Sequence, residues 1–202
     1  MRLPKDSQLS SEQREICLAP CEGTALVTGP PGSGKTVVAL FRARALENQE
    51  DDYQFLVFNH VLQRYTDHGT TFLTWLSRWW RSSTGSSFPK LNATGRSYYK
   101  PNDYGEARAM LRQGLKAQVM SKGHWRHLIL DEAQDFPPEA HQLLNYVQSN
   151  VFYSLPEDER PSILILADEN QQIGSTCSSL VEIRDAFSLG EEDEYSLSRN
   201  YR

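Results

Sequence analysis

The chain has 202 residues, 39% of them hydrophobic and 23% charged, with a formal net charge of −5; this suits one large soluble domain with a buried core and excludes a uniformly basic nucleic-acid binder. No apolar run approaches membrane-spanning length and the start at Met1 lacks a signal-peptide core, so a cytoplasmic protein without a membrane partner is expected. Cys17, Cys21 and Cys177 lack paired metal-ligand spacing, which favours buried thiols over a zinc site.

In chain order, residues 7–18 predict a helix capped by Ser10 or Ser11, with Gln13 in its first turns. A short apolar strand over 24–28 runs into Gly29-Pro30-Pro31-Gly32-Ser33-Gly34-Lys35-Thr36, followed by a helix over 37–46. Residues 53–58 predict a strand ending at Asn59-His60, and 61–67 a short helix. Thr70-Thr71-Phe72 then opens a helix over 73–81. Its spacing turns Phe72, Leu76, Trp79 and Trp80 to the core and leaves the arginines and one tryptophan outside. Residues 82–103 read as an irregular excursion rich in Ser, Gly and Pro.

A helix over 104–122 carries Ala107, Leu111, Leu115 and Val119 as its apolar stripe, with Arg108, Arg112 and Lys116 in a row beside it. These three belong to a block, residues 78–126, in which ten Lys or Arg face only Asp103 and Glu106, a local balance of +8 that fits a polyanion. The apolar strand 127–130 enters Asp131-Glu132-Ala133-Gln134-Asp135. Pro137-Pro138 starts a helix to about residue 150, and a further apolar strand over 162–167 enters Asp168-Glu169-Asn170-Gln171-Gln172. A helix over 178–187 and a strand over 195–202 close the chain.

Strands without polar alternation imply a parallel sheet covered on both faces, whose C-terminal loops converge on one site. The glycine-rich turn lets backbone N–H groups converge on a polyphosphate; Lys35 adds a point charge and Thr36 a hydroxyl ligand for Mg²⁺. Two adjacent carboxylates at the end of a buried strand are costly unless used. Asp131 is expected to hold the Mg²⁺ through water and Glu132 to polarise an attacking water. Gln13, just ahead of the turn, is a candidate reader of a base edge.

Taken together, Gln13, Gly29 to Thr36, the Asn59 region, Thr71-Phe72, the Asp131 motif, Asp168 to Gln171 and Asn200-Tyr201-Arg202 resemble the superfamily 1 helicases, most closely the UvrD/Rep-like branch. The resemblance implies an α/β P-loop NTPase (RecA-like) three-layer fold with a mainly parallel sheet. Residues 1–77 and 127–202 would form the ATP-binding motor lobe, and 78–126 a small helical and loop insertion. It implies ATP and Mg²⁺ as cofactors, Gln13 as adenine contact, Gln171 as γ-phosphate sensor and Arg202 as a phosphate-facing arginine. Asn59, His60, Thr71 and Phe72 are implied contacts to single-stranded DNA. Gly174 stands where the family commonly has a stacking aromatic, and the resemblance implies a second RecA-like lobe, absent from residues 1–202 and expected from the same or a partner chain. The chain alone is therefore expected to bind nucleotide better than it hydrolyses it. Two other readings compete: a non-motor nucleotide-binding module that organises a partner, and an RNA-directed member of the same superfamily.

Overall fold

The computed structural model describes residues 6–19, 22–57, 69–91, 101–168 and 177–200. Its strands are β1 (Thr24–Gly29), β2 (Tyr53–Val57), β3 (Gly69–Thr71), β4 (His127–Asp131), β5 (Ser162–Asp168) and β6 (Glu194–Ser196). Among the described residues they form one sheet in the order β3-β2-β4-β5-β1-β6, with every pairing parallel. The helices are α1 (Ser11–Leu18), α2 (Lys35–Asn48), α3 (Phe72–Thr84), α4 (Tyr104–Met110), α5 (Lys116–Lys122), α6 (Pro138–Tyr146) and α7 (Leu180–Phe187). None of the described helices is long and apolar enough to cross a membrane.

Strand alternation sorts the apolar side chains into two cores. Leu26, Leu56, Leu128, Leu130, Ile163 and Ile165 face one side, under α3 to α7. Val27, Phe55, Val57, Ile129, Leu164 and Leu166 face the other, under Ile16 of α1 and Val38, Ala39, Ala43 and Leu46 of α2. The result is the expected three-layer α/β P-loop NTPase fold, and the C-terminal ends of the parallel strands lie along one edge of the sheet.

Several elements differ from the sequence expectation. β3 is an added edge strand: Gly69, Thr70 and Thr71 pair with Phe55, Leu56 and Val57 before Thr71 caps α3. Three residues are too few for alternation to register. Trp75, Trp79 and Trp80 are all buried, so no tryptophan of α3 faces outward. Trp75 stacks on Trp79 with centroids 5.5 Å apart, and both meet Trp125 edge-on. The predicted helix over 104–122 is interrupted by a π-turn, Leu111–Leu115, in which Gly114 leaves helical geometry. A second π-turn, Val147–Val151, follows α6.

Residue 78, the expected boundary of the insertion, lies within α3, and Phe88, Tyr104, Ala107, Leu111, Val119 and Trp125 share a core with the sheet. Cys17 and Cys177 are half-buried rather than buried thiols. The predicted helix over 61–67, like Cys21, lies outside the described residues.

Candidate nucleotide site

β1 ends at Gly29 and α2 starts at Lys35, so the turn between them sits at the C-terminal edge of the sheet. Gly34, the residue before α2, adopts φ +93°, a left-handed conformation that a side chain disfavours. The turn delivers Lys35 inward. Its Nζ donates to the Gly29 carbonyl at 2.7 Å and the Pro30 carbonyl at 3.2 Å, and lies 3.5 Å from Asp168 Oδ2. Sheet register explains the last contact, because Gly29 pairs with Asp168 across β1 and β5. The Lys35 side chain is thus held among oxygen atoms and not in an apolar interior. Ser33 Oγ, at the same turn, is buried with no protein partner.

Asp131 closes β4 opposite this turn. Its carboxyl is buried and pushed up to about 7 by burial first and then by the neighbouring charge of Glu132, while the Thr36 hydroxyl, donating to it, and the Lys35 charge oppose the rise. Its Oδ2 is buried without a partner. A buried carboxylate oxygen with no donor, beside a threonine hydroxyl and a lysine, is the donor set that a hard divalent cation takes. The residues present therefore fit Mg²⁺.

Glu132 adopts φ +53°, an uncommon left-handed conformation for a residue with a side chain. Its surroundings hold it there. Gln134 Nε2 donates to Glu132 Oε2 at 2.7 Å, while Gln134 Oε1 accepts from the Asp168 N–H at 3.0 Å. The turn after Glu132 is fixed from behind: His141 Nε2 meets the Ala133 carbonyl at 3.0 Å, and Ser178 donates its N–H to the Gln134 carbonyl and its hydroxyl to the Phe136 carbonyl. Gln134, Asp168, His141 and Ser178 carry no role in the sequence reading. Gln134 and Asp168 stand inside motifs that the sequence marks without giving them individual roles, and His141 and Ser178 act on the 133–136 turn from segments that carry no motif.

Gln13 is buried and lies on the turn, where Nε2 donates to the Ser33 carbonyl at 3.2 Å and Oε1 accepts from the Ser10 N–H at 3.1 Å. Pro30, Pro31, Gly32, Ser33 and Gly34 complete the loop between β1 and α2. Thr71 and Phe72 have other work than the expected nucleic-acid contact: the Thr71 hydroxyl caps α3, and Phe72 is fully buried, stacked on Phe136 with centroids 4.6 Å apart. The Phe72 ring is committed to the seam between α3 and the turn after Asp131, which leaves it no face for a base. Arg112 and Lys116 are exposed, Arg112 over the Tyr146 ring at 5.3 Å, but Arg108 is half-buried with its Nε enclosed. The expected row is therefore exposed at Arg112 and Lys116 and half-buried at Arg108. Asn59, His60, Gln171, Gly174 and Arg202 lie outside the described residues.

The chain is similar in structure to Pif1 helicase from Candida albicans, with TM-score 0.58 and 13% identity over 96% of this chain and 40% of that one. It is similar also to Pif1 helicase from Bacteroides in complex with ADP-AlF3 and ssDNA, with TM-score 0.51 and 16% identity over 96% and 42%. At such identities the likeness is one of fold, and the chain spans about two fifths of the length of these structures. No curated protein matches the sequence. The family described as Schlafen group 3, DNA/RNA helicase domain, matches residues 22–202, and the chain belongs to that family.

Proposed function

We propose that the chain is the ATP-binding motor lobe of an ATP-dependent DNA helicase or translocase, one that moves along single-stranded DNA when joined to a second RecA-like lobe. One observation carries this reading: the Lys35 charge and the Thr36 hydroxyl of the turn both act on the buried carboxyl of Asp131, beside Glu132 at the end of β4, so the four meet at a single locus. Lys35 would exchange its carbonyl partners for the outer phosphates, and Thr36 with Asp131 would hold Mg²⁺, which neutralises phosphate charge when bound. Glu132, oriented by Gln134, would accept the proton of the attacking water. Gln171 and Arg202 are assigned to the γ-phosphate by resemblance alone.

Family membership and the fold shared with a Pif1 helicase solved with ssDNA support the nucleic-acid part of the proposal. The strand would meet the basic side chains of 78–126, which we treat as an insertion in a lobe formed by 1–77 and 127–202, with Arg112 and Lys116 outward. The Asp131 motif and Asn200-Tyr201-Arg202 support a UvrD/Rep-like placement within superfamily 1. The family description names both DNA and RNA, which keeps an RNA strand as the second reading.

Calorimetric titration tests the core of the proposal. Mg²⁺-ATP should bind the unaltered chain and not the Lys35→Ala variant, and equal affinities would reject it. Turnover by the single lobe should be slow and should rise when a second lobe is supplied. Paired DNA and RNA oligonucleotides of one sequence decide between the two strands.

A further inference from the structure

The phosphate loop is gripped at both ends. At its start, a Cβ on Gly29 would lie 2.6 Å from the Leu197 carbonyl oxygen, and the Leu197 N–H donates to the Thr28 carbonyl at 2.9 Å. At its far end, Gln13 Nε2 donates to the Ser33 carbonyl and occupies the space a Cβ on Gly34 would need. The two grips are joined. Glu12, beside Gln13 on α1, accepts from the Ser198 N–H on Oε2 at 3.0 Å and from the Ser198 hydroxyl on Oε1 at 2.6 Å. Helix α1 is also fastened to α2, where Arg42 donates to the Ile16 and Ala19 carbonyls at 2.9 and 2.6 Å. Loop, α1 and the chain leaving β6 make a closed ring.

We infer that Glu12 is a positioning residue of the nucleotide site: it ties the exit of β6 to the helix carrying Gln13, so that base recognition and the placement of the chain beyond Ser198 are coupled. The inference rests on the nucleotide reading above. Its physical basis is competition. Gln13 is buried, with one N–H on the Ser33 carbonyl and Oε1 on the Ser10 N–H, so a base edge that takes this enclosed amide must turn it away from the loop. Neighbouring residues of one helical turn move together, and Glu12 transmits the change to Ser198. Each of its two oxygens serves one Ser198 donor, an arrangement that a glutamine, with a single acceptor oxygen, cannot reproduce. Coupling between two such equilibria is reciprocal.

Amide hydrogen exchange at Ser198, measured on the full chain with Mg²⁺-ATP or Mg²⁺-tripolyphosphate, tests this, with affinities taken by calorimetry on the same samples. ATP should speed exchange at Ser198 by about three-fold or more while tripolyphosphate, which has no base, leaves it unchanged. Gln13→Ala should lose the response of Ser198 to ATP. Glu12→Gln should exchange fast at Ser198 in every state and bind ATP about three- to ten-fold more tightly, with tripolyphosphate affinity unchanged. Bound ATP with no response at Ser198, or equal ATP affinity in Glu12→Gln and the unaltered chain, would overturn the coupling. Failure of the unaltered chain to bind ATP would instead overturn the nucleotide reading, and this inference with it.

Discussion

Gly34 stands where two demands meet, a left-handed φ of +93° and the close approach of the Gln13 amide. Gly34→Ala should lower stability by about 1–2 kcal/mol from backbone strain alone and weaken Mg²⁺-ATP binding, checked by urea unfolding and calorimetry. Asp131 illustrates the opposite economy, a charge held in a place that disfavours it until a cation arrives. Its folded pKa of about 7 lies above the ordinary carboxylate value, so the metal-free chain loses stability from this group as pH rises toward 7. Asp131→Asn should therefore raise the urea midpoint at pH 8 in the absence of metal while removing the Mg²⁺ dependence of nucleotide binding. His141 titrates with the reverse sign. It is buried between Phe136 and Phe187, with Glu182 as its charged neighbour, and burial lowers its pKa to about 4. Its contribution is complete above the unfolded value near 6.5 and is lost as pH falls toward 4, worth about 3 kcal/mol. The difference in stability between His141→Gln and the unaltered chain should vary with pH across that window and be flat above it.

At the scale of elements, α3 and the segment after it show how one pattern serves two ends. Trp80 is fully buried and meets Phe88 edge-on at 5.1 Å, so Trp80→Ala should cost about 3–5 kcal/mol, measured by urea unfolding. The basic residues of the following helices divide by burial. Arg112→Ala and Lys116→Ala should each reduce the salt dependence of single-strand binding by about 0.7 log unit per log salt with little change in stability. Arg108→Ala should chiefly change stability, because its stem is packed and its Nε enclosed. Periodicity set the apolar stripe correctly through Ala107, Leu111 and Val119, yet it misplaced the row of cations. The cation that departs from the row is Arg108, half-buried ahead of the π-turn, whereas Val119 keeps its place on the stripe after Gly114 leaves helical geometry.

At the scale of the whole molecule, a positive block lies within a chain of net charge −5, so a polyanion would be drawn to part of the surface and repelled elsewhere. Single-strand affinity should consequently fall steeply with salt, as read by fluorescence anisotropy between 50 and 200 mM salt, the range over which a handful of phosphate contacts loses orders of magnitude. Salt-independent or undetectable binding would favour the non-motor module. Layered packing bears on the same question. The core that buries Phe88, Tyr104 and Trp125 is continuous with the sheet, so the basic block is carried on the motor lobe itself.

The sequence by itself determined the strand order of chemistry along the chain: the turn before Lys35, the paired acids at 131 and 132, and apolar strands that demand cover on both faces. Those are local facts, set by residue type, spacing and the solvent's rejection of apolar surface. Only the tertiary structure decided which atoms meet. Pairing Gly29 with Asp168 puts a carboxylate beside Lys35; folding Gln134 under the sheet edge joins Glu132 to β5; and α1 meets the exit of β6 through Glu12 and Ser198. Such contacts span tens of residues and depend on strand register and helix docking, which no window of sequence encodes, since they arise only when every layer has packed.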